Sequence, residues 1–261
     1  MIYAIIQARM GSTRLPGKVM MDLCGHPVIE HVVNRLEKSN GIDKIIIATS
    51  IDSNNQPIID FCKEKGIDYF VGSEDDVLDR YYQTAIHNNL KDDDIVIRIT
   101  SDCPLIDPFV VDKVIEKHIS ENNDYTTNVL ECTYPDGLDC EVFNFNILKD
   151  AWINANLSSQ REHVTLYIRD NSDKFKLGNV KNDVDLSELR WTLDENEDFV
   201  FIDEVYKNLF NENSFFTMED ILILLDEKPE LMNINSEFTR NEGLLKSLRE
   251  DVDLGSRNVD E

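Results

Sequence analysis

The sequence predicts a three-layer α/β fold on a mixed, mostly parallel sheet. Two observations carry this. Short apolar runs without alternation, Ile2–Gln7 and Lys44–Thr49, read as strands buried on both faces. Stretches with helical spacing lie between such runs, so strand and helix alternate through the first half of the chain. At 261 residues, 41% of them hydrophobic, the chain suits one large domain, with or without a small annex.

The elements follow in order. Ile2–Gln7 is the opening strand, and Ala8–His26 a loop rich in turn residues. Pro27 opens a helix whose apolar residues Val28, Ile29, Val32, Val33 and Leu36 share one face. Lys44–Thr49 is a strand, Ile58–Lys65 a helix, Tyr69–Val71 a brief strand and Asp75–Asn88 a helix. Asp94–Thr100 is the next strand. Asp107 caps a helix with Pro108 at its first position. The second half is less regular. Glu141–Phe145, Phe175–Val180 and Leu189–Leu193 read as strands, and Ile147–Asn154 as a helix. Ser159–Arg169 is expected to be one helix, with Ser159 as N-cap and Glu162 as its capping-box partner. Asp198–Phe210, with Asp198 as N-cap, and Met218–Leu225 are the last helices. The expected organisation is a domain over 1–211, an insertion near 130–180, and a helical acidic extension over 212–261 whose last ten residues fray.

Composition excludes several classes. A net charge of −25 argues against long nucleic acids, which would be repelled. No run of 18 apolar residues exists to span a membrane. The N-terminus lacks the regions of a secretory signal, so a cytoplasmic location is expected. Five scattered cysteines, none in a Cys-x-x-Cys pair, predict neither a disulfide framework nor a zinc ribbon. The charge is uneven: residues 1–50 carry +2 while the rest is strongly acidic. Surface acids keep a protein soluble, but they leave this asymmetry unexplained, and a local anion site would explain it.

That site is expected in the loop after the first strand, because ligands of open α/β sheets sit at the carboxyl ends of strands. Arg9, Arg14 and Lys18 place three cations within ten residues, and Gly11 and Gly17 expose backbone donors. The loop suits a polyphosphate. It matches neither the Walker A spacing nor the Gly-x-Gly-x-x-Gly fingerprint.

The run Arg9-x-Gly11-Ser12-x-Arg14-Leu15-Pro16-Gly17-Lys18 resembles the signature of the nucleotidyltransferases that make CMP-activated acidic sugars, the CMP-sialic acid and CMP-Kdo synthetases. Stretches 72–82, 99–108, 134–139 and 161–165 resemble one branch, the SpsF-type cytidylyltransferases of spore coat polysaccharide biosynthesis. The resemblance runs in order over roughly residues 1–245. It implies a nucleotide-diphospho-sugar transferase-like, Rossmann-like fold. It implies a cytoplasmic, Mg²⁺-dependent enzyme that joins CTP to a sugar and releases pyrophosphate, working as a homodimer in surface polysaccharide biosynthesis.

Its implied sites fall as follows. Gln7, Ala8, Arg9, Gly11, Ser12, Arg14 and Lys18 hold the triphosphate, with Thr49, Asp52 and Arg80 near the nucleotide. Arg80 could equally pair with Asp76 one helical turn away. Asp102 and Asp194 each follow a predicted strand and are the expected metal ligands; with Arg9 and Lys18 they form the catalytic set. Asp136, Asp139 and Glu141 would accept hydrogen bonds from sugar hydroxyls. Arg161 would clamp an acidic group, with Glu162 and His163 beside it. Glu162 could equally be no more than the capping-box acid. Two other readings stay open: a glycosyltransferase that consumes a nucleotide-sugar, and a non-catalytic nucleotide-sugar-binding module. The cation-rich loop weighs against the first, and the complete catalytic set against the second.

Overall fold

The computed structural model describes residues 1–211, 215–240 and 242–255. Its first half runs β1 (Ile2–Gln7), β2 (Asp22–Leu23), β3 (His26–Pro27), α1 (Val28–Leu36), β4 (Lys44–Ser50), α2 (Gln56–Lys65), β5 (Asp68–Gly72), α3 (Val77–His87), β6 (Ile95–Thr100) and α4 (Pro108–Glu121). The second half runs β7 (Tyr125–Thr127), β8 (Glu141–Asn144), α5 (Phe145–Asn154), α6 (Ser158–Glu162), α7 (Leu166–Asp170), β9 (Leu177–Asn179), α8 (Asn196–Leu209), α9 (Met218–Glu227) and α10 (Glu242–Arg249).

Seven strands form one sheet in the order β5-β4-β1-β6-β8-β7-β9. β5, β4, β1 and β6 are parallel, and β8 is antiparallel to both its neighbours. The sheet is mixed and mostly parallel, as the apolar runs imply. Alternate residues of β1 feed opposite cores. Ala4 and Ile6 pack with α1, α2 and α4, while Tyr3 and Ile5 pack with α3 and α5. These are the three layers. A third cluster joins Trp191, α8, α9 and the β2–β3 hairpin. Met218, Ile221 and Leu225 of α9 thus share a core with Phe201 and Val205 of α8, on either side of the expected boundary near 211. The 130–180 stretch supplies β8 and β9 to the main sheet. The fraying expected for the last ten residues falls partly on 256–261, outside the described residues.

Three local expectations are corrected. Ser159–Arg169 is two short helices, broken where Val164 takes φ 58°. A β-branched residue avoids that region, so the break is a strained turn. It is held by Thr165 N–H donating to the His163 carbonyl at 2.6 Å and by Thr165 Oγ1 donating to Glu141 at 2.5 Å. Ser159 does not cap the helix with its own side chain, and Glu162 closes no capping box. Instead Asp251 accepts from the Ser159 N–H at 3.0 Å and its hydroxyl at 2.8 Å. Leu189–Leu193 is not a strand. Among the described residues its ladder is a single bridge, Arg190 to Asp136, because the following Gly137 turns at φ 109°. A Cβ on Gly137 would meet the Trp191 and Thr192 backbone at 2.6 Å. Asp198 stands at the third position of α8, with Glu195 as the N-cap. The loop after β1 also holds more structure than expected: a 3₁₀ turn at Lys18–Met20 and the β2–β3 hairpin.

From β1 the chain crosses to β4 and β5 on one side, then returns to β6 on the other. The loops leaving β1 and β6 therefore diverge from adjacent carboxyl ends, where Gln7 lies beside Thr100. Such a crevice is where open α/β sheets bind ligands.

Candidate active site

Two cavities open at this crevice. The larger, about 690 Å³, is lined by Gln7 at the end of β1, by Ala8, Arg9, Ser12, Arg14 and Lys18 from the loop after it, and by Arg80, Glu162 and α10. The smaller, about 260 Å³, is lined by Asp136, Asp139, Glu141, Thr165 and Arg169 among others. Arg98, Thr100, Asp102, His163 and Asp194 line both.

Lys18 stands at the junction. Gly17 takes φ 74° and turns the chain into the 3₁₀ turn that carries it. The Lys18 ammonium donates to Asp102 Oδ2 at 2.7 Å, Asp194 Oδ1 at 2.8 Å and the Leu193 carbonyl at 2.7 Å. All three of its donors are engaged. Burial works against this charge, but Asp102 and Asp194 outweigh it and hold the ammonium above its usual pKa. In return Lys18 holds the Asp102 carboxyl below its usual range, against the push of burial. Arg14 adds contacts to Asp194 and Glu195, both at 3.0 Å, and to Glu242 at 3.4 Å. Arg9 pairs with Glu74 at 3.2 Å. The expected catalytic residues Lys18, Asp102 and Asp194 therefore meet at one point, with Arg9 on the wall of the same cavity.

In the smaller cavity, Glu141 is buried and accepts from Arg98, from Tyr125 at 2.6 Å and from Thr165. Burial raises its pKa, but Arg98 and these donors overcome that and keep it below the usual range. Asp136 lies 3.4 Å from Arg190 and 3.7 Å from Arg240, and burial still raises its pKa. Arg240 donates to Asp139 at 2.5 Å, yet burial pushes that carboxyl up to about 7. Burial, with Arg98 next, lowers the pKa of His163. Its Nε2 is enclosed without a hydrogen bond.

Four expected residues are not placed in either cavity. Gly11 is outside the lining, and a side chain there would meet only ordinary contact with Glu74. Thr49 is fully buried at the end of β4. Asp52 is exposed and accepts from Asn54 N–H at 2.9 Å, capping a turn. Arg161 is buried, donating to Asp76 at 2.7–3.0 Å and to the Trp152 carbonyl at 2.8 Å. It ties α6 to the N-cap of α3 and reaches no cavity. Arg80 does line the larger cavity. Its Nη1 donates to the Ser73 carbonyl at 2.8 Å, and its Nε is buried without a partner.

Sequence reasoning missed Arg98, Arg169, Arg190 and Arg240. For Arg98 a signal existed: a cation inside an apolar strand needs a buried partner, and Glu141 lies directly across in register. Arg190 precedes Asp194 and Asp198 and donates to both oxygens of Asp198 at 2.8 Å. Arg240 lies about a hundred residues from its partner, and nothing local marks it.

A family model described as cytidylyltransferase matches residues 3–238. The chain belongs to the cytidylyltransferase family. It is similar to the spore coat polysaccharide biosynthesis protein SpsF of Bacillus subtilis, with 33% identity over 88% of this chain and 95% of that one. It is similar to the uncharacterized protein MJ1063 of Methanocaldococcus jannaschii, with 38% identity over 95% of this chain and 98% of that one. A solved cytidylyltransferase from Leptospira borgpetersenii superposes with a TM-score of 0.83 at 28% identity, covering 88% of this chain and 96% of that one. As a cytidylyltransferase the chain is a nucleotidyl-transferring enzyme, which sets aside the glycosyltransferase and non-catalytic readings.

Proposed function

We propose that this cytidylyltransferase joins CTP to a sugar, producing a CMP-activated sugar and pyrophosphate for surface polysaccharide synthesis. The observation that carries the reading is the meeting of two cavities at the Asp102–Lys18–Asp194 bridge. The larger presents Arg9 and Arg14 to a triphosphate, with the charge of Lys18 beside them at the Asp102–Asp194 bridge. The smaller presents hydroxyl-binding carboxylates and arginines to the sugar. A sugar hydroxyl reaching the junction attacks the α-phosphorus. The new O–P bond forms, the bond to the β-phosphate breaks and pyrophosphate leaves, and the hydroxyl proton passes to water. The enzyme's part is positioning and charge.

Mg²⁺ belongs to this reading. Among the described residues no group of three or more His, Cys, Asp or Glu could hold a metal. Mg²⁺ uses one or two carboxylates plus substrate phosphates, so the pair Asp102 and Asp194 fits it. Bound there it would offset charge on the phosphates. The same reading carries a homodimer and a cytoplasmic location. No helix among the described residues is long and apolar enough to cross a membrane.

The test is thermal unfolding with nucleotides, beside pyrophosphate release from CTP, Mg²⁺ and a panel of sugars. CTP at 100 times its Kd adds about 2.7 kcal/mol of stability. For a chain of this size that raises Tm by roughly 2–4 °C per kcal/mol. UDP-sugars, with fewer phosphates for Arg9, Arg14 and Lys18, should raise it less. A larger shift with a UDP-sugar, and no pyrophosphate from any sugar, would overturn the reading.

A further inference from the structure

The segment after residue 238 lies beyond the matched family domain, yet it reaches both cavities. Arg240 meets Asp139. Glu242, Lys246 and Glu250 of the same segment line the larger cavity. At its far end Asp251 accepts from the Ser158 and Ser159 hydroxyls at 3.0 and 2.8 Å, and Leu254 N–H donates to the Asn156 carbonyl at 2.8 Å. The helix between these anchors, α10, has no buried residue. It is a strap fastened at two ends; in its middle Ser247 donates to Glu162 at 2.7 Å, an exposed contact that costs little to break.

Glu242 begins that middle, and it is the strap's contact with Arg14, at 3.4 Å. The other two acids on Arg14, Asp194 and Glu195, stand at the turn into α8. Carboxylates and phosphates suit the same guanidinium fork, so a phosphate approaching Arg14 meets Glu242 as a rival anion. We propose that Glu242 exchanges with the β- and γ-phosphates on Arg14, yielding when the triphosphate binds and returning as pyrophosphate leaves. This rests on the reading that the Arg9–Lys18 loop takes the triphosphate. CMP carries a single phosphate, which in this reading lies at the junction, and it leaves the Arg14–Glu242 pair in place. The device lowers affinity for substrate and leaving group alike and shortens the stay of pyrophosphate on the enzyme.

The test is calorimetric titration of the full chain with Mg²⁺ and three probes: CTP, inorganic pyrophosphate and CMP. Glu242→Gln keeps the size and removes the charge. Because a half-exposed pair is weak, CTP and pyrophosphate should bind up to about fivefold tighter, with CMP unchanged. The gain should shrink in high salt. It should vanish in an Arg14→Ala background, since the rival then has nothing to hold. Unchanged or weaker CTP and pyrophosphate binding overturns the proposal, and so does an equal gain for CMP. Arg14→Ala alone separates the two readings. If it leaves CTP and pyrophosphate binding intact, the triphosphate reading of the loop fails. If it weakens both while Glu242→Gln changes nothing, only the exchange fails.

Discussion

In the larger cavity Lys18 holds the Asp102 carboxyl below its usual pKa, although burial pushes the other way. In the smaller cavity Arg240 touches Asp139 just as closely, yet burial pushes that carboxyl up to about 7. The difference lies in how many acids crowd each carboxyl. Arg240 divides its charge between Asp139 and Asp136, and Glu141 stands nearby as a further like charge. Lys18 also bridges two carboxylates, giving one donor to each and the third to the Leu193 carbonyl. One side keeps its negative charge, which suits the proposed phosphoryl transfer. The other holds a carboxyl that can give or accept a proton near neutrality, which suits hydroxyl recognition.

The largest effect should come from breaking the charged side. Asp102→Asn and Asp194→Asn remove one charge and keep the volume. Losing one electrostatic partner at such a centre costs about 3 kcal/mol in the barrier, on the order of 10² in rate. Pyrophosphate release from CTP with an accepted sugar reads this directly. Turnover near wild type in either variant would remove that residue from the transfer site.

Lys18→Ala should be costly in another currency, stability. It leaves Asp102 and Asp194 facing each other without their shared cation. Removing one partner of a buried ion pair costs roughly 3–5 kcal/mol, and these carboxylates are partly exposed, so about 2 kcal/mol is expected. Tm should fall by roughly 4–8 °C. Mg²⁺ should then restore more of the lost Tm in this variant than it adds to wild type. Equal Mg²⁺ shifts in both proteins would mean the carboxylate pair does not take the metal.

How much of this was legible followed from where the contacts lie in the chain. The loop after β1 is local: its cations, turns and preceding strand fall within twenty residues. The switch point was implied by strand–helix alternation, and Asp102 and Asp194 by their place after expected strands. Asp194 holds that place without a strand, because one bridge to Asp136 and one hydrogen bond from Leu193 N–H to the Asp102 carbonyl at 2.8 Å suffice. The smaller cavity was half legible. Asp136, Asp139 and Glu141 were in view as acids, but their arginines come from a strand interior and from the C-terminal segment. Arg161 falls outside both cavities, because a cation opening a helix looks the same whether it faces a ligand or a half-buried Asp76. The Val164 break had no pattern to announce it, since tertiary contacts to Glu141 stabilise a turn that local preference opposes.

A milder effect sharpens the other half of the comparison. Asp139 has a raised pKa in the folded chain, so the folded state keeps a proton that the unfolded state loses. Its contribution to stability is present below the ordinary carboxyl range and is lost as pH rises towards about 7. Asp139→Asn removes that loss. The variant should gain Tm relative to wild type at about pH 8, and gain less or nothing at about pH 5. Asp102 and Glu141 have lowered values and work in the opposite sense, losing stability as pH falls, so the comparison must be made variant against wild type at each pH. A gain that is the same at both pH values would show that Asp139 does not titrate with folding.

The smallest effect is expected at Asp52, which separates position in the fold from position at a strand end. Asp52 follows β4 as Asp102 follows β6, and a rule that reads every polar residue after a parallel strand as a ligand would treat them alike. The fold does not. β4 lies on the far side of β1 from the switch point, and Asp52 is exposed, capping the turn Ser53–Asn55 through Asn54 N–H. Asp52→Ala should therefore leave turnover and CTP affinity within about twofold of wild type, since no charge near the junction changes. It should cost about 1 kcal/mol or less in stability, the usual loss for a capping side chain at an exposed turn. Calorimetry with CTP and a thermal melt check both. A tenfold loss of CTP affinity with little change in Tm would bring Asp52 back to the nucleotide and require the loop after β4 to move on binding.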